Sequence, residues 1–311
     1  AAVSAPRGVL AIVGATATGK SSLAVEVALR LGGEVISADA FTAYRGIDAG
    51  TAKPTLEERR GVPHHLVDLK EPTEPFSAGE FARLARGASR EILSRGKLPI
   101  LCGGTGFYVR AFFEGLFVGP PRDERLREAL RSVQARRGAP WLVRALSLLD
   151  PVSGARISQR DGARAIRYLE IAFSTGRRPS DLFRERPGER WEGPSVKVLL
   201  SLPRPVLYGR IEARFRESIM DRLPGEVRRL LEAGVPVTAP GMAAIGYRET
   251  AEFVEGRMDA GEWAETVLRE TRRYAKRQET WFRSEPDLHL FRADAPGLVE
   301  EVVAAAAQLF S

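Results

Sequence analysis

The sequence predicts an α/β protein: a parallel-sheet core interrupted by an all-helical, basic insertion. Three observations carry that prediction. Short apolar runs alternate with helical patterns in the first third of the chain and return as a further run after its middle; a glycine-rich loop joins the first run to the first helix; and residues 120–190 show only helical spacings while holding 16 arginines against 9 acidic residues. Strand and helix in alternation imply a parallel sheet covered on both faces, with ligands at the carboxyl ends of the strands.

Taken in order, Val9-Leu10-Ala11-Ile12-Val13 is a buried-strand pattern ending in glycine, and residues 21–31 follow with helical periodicity. Glu34-Val35-Ile36-Ser37 is a second strand. Residues 78–95 read as a helix leading into a third strand at 97–102, which ends in Gly103-Gly104. Gly119-Pro120-Pro121 opens the insertion and Arg186-Pro187-Gly188 approaches its end, both linker punctuation. Within it, residues 122–137, 141–149 and 163–173 carry leucine and alanine at spacings of three and four. Residues 196–202 form a further strand candidate, 269–283 a charged helix, and the alanine run 304–307 suits a terminal helix. The division expected is a core of residues 1–119 with 191–311 and a helical insertion of residues 120–190.

Composition bounds the function. With 311 residues, 44% hydrophobic and 28% charged, the chain is a globular protein able to bury a real core, which excludes disordered, collagenous and coiled-coil classes. One cysteine, Cys102, excludes an intramolecular disulfide framework and a cysteine-based zinc cluster, so a reducing compartment, the cytoplasm, is expected. Residues 1–8 lack a basic leader followed by an apolar stretch, and no run of about 18 apolar residues occurs, so neither secretion nor membrane spanning is expected. The net charge of +7 and pI near 9.8 suggest an anionic partner. In net terms that charge lies entirely in the insertion, and the rest of the chain sums to neutral. Nothing in the sequence demands more than a monomer.

Gly14-Ala15-Thr16-Ala17-Thr18-Gly19-Lys20-Ser21 satisfies G-x4-G-K-[ST] between a strand and a helix, the context the motif needs. Backbone N–H groups converge there on phosphate oxygens, Lys20 supplies a point charge, and the Ser21 hydroxyl is a ligand for Mg²⁺. The loop binds phosphates without naming the acceptor. A small-molecule kinase, in which a carboxylate orients an acceptor hydroxyl, and an enzyme that expels diphosphate are both open on these residues.

Asp39 follows the second strand and so stands at a strand end beside the phosphate loop. A lone aspartate there is more often a cap or turn residue than a catalyst. Further on come Gly50-Thr51-Ala52-Lys53-Pro54, Pro63-His64-His65 and Gly103-Gly104-Thr105, then Arg210-Ile211-Glu212-Ala213-Arg214-Phe215, Ala244-Ile245-Gly246-Tyr247-Arg248-Glu249 and Thr271-Arg272-Arg273-Tyr274-Ala275-Lys276-Arg277-Gln278 with Trp281-Phe282-Arg283.

With these strings in this order, the chain resembles the tRNA dimethylallyltransferase (tRNA isopentenyltransferase) family of bacterial type, nearly end to end. The resemblance implies a P-loop NTPase-like core with a helical insertion. It also implies transfer of a dimethylallyl group from dimethylallyl diphosphate to N6 of the adenosine at tRNA position 37, beside the anticodon, with diphosphate leaving. The phosphate loop then holds the prenyl diphosphate with Mg²⁺. Asp39 matches the family's proton acceptor, Thr105 the threonine near the donor's bridging oxygen, and Arg210 an arginine on the diphosphate; Lys20 completes the catalytic set. The tRNA anticodon stem-loop is the expected partner. Its contacts fall on Asp39, Ala40, Phe41 and Thr42; on Ala163, Arg164, Ala165, Ile166 and Arg167; on Ala244, Ile245, Gly246, Tyr247, Arg248 and Glu249; and on Lys276, Arg277, Gln278, Trp281 and Arg283. Many relatives carry Asp-Ser-x-Gln where this chain has Asp39-Ala40-Phe41-Thr42, so an amide that would read the adenine edge is absent there. A related enzyme acting on free adenine nucleotides is the alternative, and it would not need a basic insertion.

Adjacent His64 and His65 cannot both point at one ion in regular structure, so packing or hydrogen bonding is expected of them. Cys102 is expected as buried filler at a strand end, and Trp141, Trp191 and Trp263 as core or interface residues.

Overall fold

A computed structural model of the chain describes residues 5–117, 119–185 and 188–310. It divides into two compact units, Ala1–Phe113 with Trp191–Ser311, and Glu114–Arg190. The Arg186-Pro187 punctuation lies outside the described residues.

The first unit is built on six strands: β1 Val9–Gly14, β2 Gly33–Ser37, β3 His64–His65, β4 Leu98–Gly103, β5 Ser195–Ser201 and β6 Leu288–Arg292. All pairings are parallel, in the order β3-β2-β4-β1-β5-β6. The expected strands are β1, β2, β4 and β5. β1 and β4 sit innermost and are buried at every position, which is why their sequences are unbroken apolar runs rather than alternations. Because β4 lies between β1 and β2, the chain leaving β1 crosses over it. The carboxyl ends of β1, β2 and β4 open side by side on one edge of the sheet, where α/β folds place their ligands.

Helices before the insertion are α1 Lys20–Leu31, α2 Leu56–Arg59, α3 Ala78–Ser94 and α4 Gly106–Glu114. Helix α1 buries Leu23, Ala24, Val25, Val27 and Ala28 in the cluster that also holds Ile12, Ile100 and Val198 from the sheet. From Arg86, buried on α3, Nη1 donates to the carbonyls of Ala111 and Phe112, both at 3.0 Å, fastening α3 to the end of α4.

The second unit comprises α5 Glu124–Arg137, α6 Ala139–Leu149, α7 Pro151–Ala155, α8 Gly162–Thr175 and α9 Pro179–Glu185. Aspartates cap three of them: Asp123 accepts from Leu126 N, Asp150 from Ser153 N and Asp161 from Arg164 N. Each satisfies an N–H with no partner inside its helix. Leu130, Leu142, Leu146, Ala165 and Leu169 form its core.

Two buried carboxylates organise this unit. Asp150, fully buried, accepts from Ser153 N (3.1 Å), Ser153 Oγ (2.7 Å), Ser180 N (2.7 Å) and Ser180 Oγ (2.8 Å). Burial opposes its charge, and these donors outweigh burial, holding the carboxyl below its ordinary pKa. Glu170, also fully buried, pairs with Arg127 (3.3 Å) and Arg167 (2.8 Å) and accepts from Asp123 N. Replacing Asp150 by Ala strands the N–H groups of Ser153 and Ser180. Its expected cost is about 3 kcal/mol, since hydrogen bonds to charged groups contribute about 1.5–3 kcal/mol each. A denaturation midpoint unchanged from wild type would show that Asp150 does not organise the unit.

After the insertion come α10 Arg204–Arg214, α11 Leu223–Glu232, α12 Tyr247–Val254, α13 Ala260–Arg283 and α14 Leu298–Ala306. Helix α13 starts nine residues earlier than the charged pattern suggests. Its start is marked by Asp259, whose side chain accepts from Glu262 N.

Candidate active site

The phosphate loop follows β1 directly. Gly19 takes φ 88° as the residue before α1, a left-handed conformation that a side chain would strain, and it lets α1 begin with its N–H groups turned toward the cleft. Inside the loop Thr18 Oγ1 and Lys20 Nζ donate to the Ala15 carbonyl at 2.8 and 3.1 Å. The loop borders a cleft of about 360 Å³ that Lys20, Ser21, Asp39, Arg210, Arg214 and Gln278, among others, line.

Positive charge gathers on one side of this cleft. Arg210 stands over the loop: a Cβ built on Gly19 would lie 3.9 Å from its Nη1. Burial pushes the Lys20 ammonium below its ordinary pKa, and Arg214 adds to that, while Cys102 and Asp39 oppose it. Arg214 is likewise depressed by burial, with Asp39 opposing, and its Nε has no hydrogen-bond partner. The molecule therefore stores desolvated cations here with little anionic compensation, an arrangement that an anionic ligand relieves.

The facing side is built from the ends of β2 and β4. Asp39 Oδ1 accepts from Phe41 N (2.9 Å) and, more weakly, Thr42 N (3.4 Å), so the residue is both a turn former and a carboxylate held in the cleft. Thr105 Oγ1 accepts from Ala40 N at 3.1 Å, tying the two strand ends together. Tyr274 lines the cleft, and burial pushes its hydroxyl well above its ordinary pKa, with Thr105 and Gln278 opposing the rise, so it remains a neutral phenol. Cys102 lies beneath the loop, its Sγ 3.6 Å from the Lys20 carbonyl. Burial pushes that thiol up to about 11, in keeping with its expected place as filler.

Residues 39–42 and 244–245, with Gln278, reach the same cleft through Asp39, Phe41, Thr42, Ala244 and Ile245. Other expected contacts are corrected by burial. Ala165 and Ile166 are sealed in the helical core, and Tyr247 is fully buried, its hydroxyl donating to Glu226 Oε1 at 2.5 Å and accepting from Gly50 N. None of these three side chains can face a ligand. Gly246 is buried too, with φ 92° at the start of α12. Trp281 packs against Phe107 and beneath the Arg110 guanidinium, 4.3 Å from its ring centre. Ala163, Arg164, Arg248, Lys276, Arg277 and Arg283 are exposed, and Ala40, Arg167 and Glu249 are half-buried.

Two contributors carry no expectation from the sequence. The string around Arg210 gives Arg214 no role, although its place four residues after Arg210 on a helix puts both on one face. Glu226 was not singled out; it accepts from Asp48 N and Ala49 N at 2.9 and 3.0 Å and so anchors the loop that brings Gly50 and Thr51 to the cleft. No local sequence signal marks it. His64 Nδ1 bonds the Val62 carbonyl and His65 Nε2 bonds Glu34, as expected of packed histidines.

For a metal, no group of three or more His, Cys, Asp or Glu side chains suited to hold an ion occurs among the described residues. The donor set at the cleft is the Ser21 hydroxyl and the Asp39 carboxylate. Such hard oxygen donors fit a cation that arrives with, and is held largely by, the phosphate oxygens of a ligand.

Comparison with known proteins places the site in context. Residues 42–285 match the family profile described as IPP transferase, and residues 7–71 that described as isopentenyl transferase. The chain is 45% identical over 278 residues to tRNA dimethylallyltransferase 1 of Trichlorobacter lovleyi, covering 89% of this chain and 91% of that protein. Identity to the tRNA dimethylallyltransferase of Thermomicrobium roseum is 44% over 298 residues, 94% and 89% of the respective chains. The crystal structure of the tRNA isopentenylpyrophosphate transferase of Bacillus halodurans superposes with a TM-score of 0.71 at 38% identity, covering 97% of this chain and 96% of that one.

Proposed function

The chain belongs to the IPP transferase family, that of the tRNA dimethylallyltransferases, and from that premise we propose how it acts: it moves a dimethylallyl group from dimethylallyl diphosphate to N6 of the adenosine at position 37 of tRNA. The observation that carries this reading is the two-sided cleft, with desolvated cations on the phosphate-loop side and an oriented carboxylate facing them.

Lys20, Arg210 and the N–H groups at the start of α1 bind the diphosphate of the donor. Fixed donors of this kind stabilise charge as it builds on a leaving group. The N6 lone pair forms the new C–N bond as the allylic C–O bond breaks and its electron pair leaves on diphosphate; the N6 proton passes to the Asp39 carboxylate. Thr105, held to Ala40 N, is the hydroxyl we assign to the bridging oxygen, as the family resemblance implies. Ser21 is the side chain that would hold Mg²⁺, which supplies further neutralisation of the leaving group.

The target base must leave its stack to enter such a cleft. The exposed basic residues Arg164, Arg248, Lys276, Arg277 and Arg283 are the RNA contacts we propose, on the anticodon stem-loop, with the helical unit as a principal RNA-binding surface. No helix among the described residues is long and apolar enough to cross a membrane, and the cytoplasm, where tRNA is found, is the compartment we propose. The test is incubation with labelled dimethylallyl diphosphate and unmodified tRNA. Label in RNA supports the reading; label in AMP alone, or none, overturns it.

Arg164 and Arg167 differ as probes of RNA binding. Arg164 is about half exposed and pairs only loosely with Asp161 (3.4 Å), whereas Arg167 is committed to Glu170 and to the Pro120 carbonyl. Arg164→Ala is expected to weaken tRNA binding without loss of stability and to reduce the slope of log affinity against log salt by about 0.7–0.9, the loss of one phosphate contact. An unchanged slope would remove Arg164 from the interface.

A further inference from the structure

We infer that Gln278 is a positioning residue that ties the phosphate loop to the Asp39–Thr105 side of the cleft and couples both to helix α13; the inference rests on the reaction proposed above. Gln278 is buried on α13. Its Oε1 accepts from Thr16 N at 2.8 Å, and its Nε2 donates to the Gly104 carbonyl at 2.9 Å. One amide thus bridges the loop after β1 and the loop after β4. Adjacent strands fix the spacing of these loops only as far as the sheet extends; beyond Gly14 and Gly103 the backbone is free to diverge. The bridge closes that freedom at the point where diphosphate and acceptor must be aligned.

Two further observations point the same way. Gly104 makes room for the amide, since a Cβ there would lie 2.3 Å from Gln278 Nε2. Tyr274, one turn earlier on the same helix, lines the same cleft as Gln278, and its hydroxyl is influenced by both Gln278 and Thr105, the residue that holds Ala40 N. The Thr16 N–H, which a phosphate loop ordinarily has free for an anion, is committed to a protein acceptor. Meanwhile Lys276 and Arg277, immediately before Gln278 in sequence, are exposed. Helix α13 therefore grips the donor loop with one face and presents basic groups with the other.

The amide also explains why glutamine is suited to this position. A carboxylate keeps an acceptor for Thr16 N but sets a second oxygen against the Gly104 carbonyl and adds a negative charge beside the diphosphate. Asparagine keeps the chemistry but is one methylene too short to reach both partners.

The test compares Gln278→Met, Gln278→Asn, Gly104→Ala and the double variant Gln278→Met with Gly104→Ala, after wild-type enzyme has shown RNA labelling. Each single variant is expected to lower kcat about 100-fold, the usual consequence of misplacing reacting groups by about 1 Å, with KM for tRNA within about twofold of wild type because the exposed face of α13 is untouched. The double variant is expected to be no slower than the slower single, since both changes break one bridge. Multiplying losses in the double variant, an unchanged kcat in Gln278→Met, or a rise confined to KM for tRNA would overturn the proposal. Gln278→Asn keeps the variant set informative if Gly104→Ala does not fold. Calorimetric binding of inorganic diphosphate gives a readout apart from turnover: affinity is expected to fall in all three single variants, and equal affinity throughout would overturn the bridge even if the wild type labels no RNA.

Discussion

Asp39→Asn is expected to lower kcat by about 10²–10⁴-fold, the range that general-base assistance contributes, while leaving the fold intact. The structural reason is that Asp39 has two duties that the substitution separates. Its Oδ1 accepts from Phe41 N and Thr42 N, forming the turn at the end of β2. An asparagine carbonyl oxygen does the same, so the turn survives. What is lost is the negative charge and the ability to take a proton from N6. Asp39→Ala loses both duties and is expected to show a further drop in thermal stability that Asp39→Asn does not. Single-turnover labelling of tRNA, with thermal unfolding of each variant, checks this. Equal rates for wild type and Asp39→Asn would show that the carboxylate serves only the turn.

The parts of this molecule that were legible from sequence are those whose physics is local. β1 and β4 announce themselves because burial on both faces requires unbroken apolar runs, β2 and β5 through shorter apolar runs, β5 with burial that alternates along the strand, and the phosphate loop because its spacing admits few other uses. β3 and β6 do not. They are the edge strands, a two-residue pair of histidines and a largely exposed Leu-His-Leu-Phe-Arg, and an edge needs neither length nor apolar continuity. The start of α13 was legible in principle from Asp259, yet the charged pattern further along drew the boundary to Arg269. At the site, Lys20 could be named from its motif and Asp39, Thr105 and Arg210 from the family resemblance, but which residues near them face the cleft could not. Tyr247 and Gln278 lie in strings that the family resemblance links to RNA. Tyr247 turns inward to a buried Glu226, 21 residues earlier in the chain, and Gln278 bonds Gly104, 174 residues earlier. Pairings at such separations leave no periodicity to detect.

Electrostatics adds what neither motif nor topology contains. Residues 120–190 hold the net charge of the chain, but several of their 16 arginines are paired internally, since Glu170 occupies Arg127 and Arg167, Asp181 occupies Arg184 and Glu185 occupies Arg177. A count of arginines therefore overstates the charge free to meet a polyanion. In the core the reverse holds: it is neutral in sum, yet Lys20 and Arg214 are desolvated beside one another. Net charge by segment identifies where long-range attraction originates, and burial identifies where a small anion is bound.

That desolvation sets the sign of the second large effect, at Lys20. Lys20→Met is expected to lower kcat/KM for the donor by about 10²–10³-fold, the loss found when one fixed donor to a developing anion is removed. The pH dependence is more specific. Burial lowers the pKa of the Lys20 amine from 10.5 in the free enzyme, and bound diphosphate favours the ammonium, so binding is coupled to proton uptake. Donor affinity is then full below the lowered pKa and falls as pH rises through it, starting at a lower pH than a solvated lysine would give. Asp39 opposes that lowering through its negative charge. In Asp39→Asn the alkaline fall in diphosphate affinity is therefore expected to move to still lower pH, whereas in Lys20→Arg, with a guanidinium that stays charged, it is expected to vanish from the range below about pH 11. Calorimetric titration of inorganic diphosphate across the alkaline range reads both shifts. An alkaline limb that persists unchanged in Lys20→Arg would assign the titration to another group and leave Lys20 without a charge-dependent part in holding the donor.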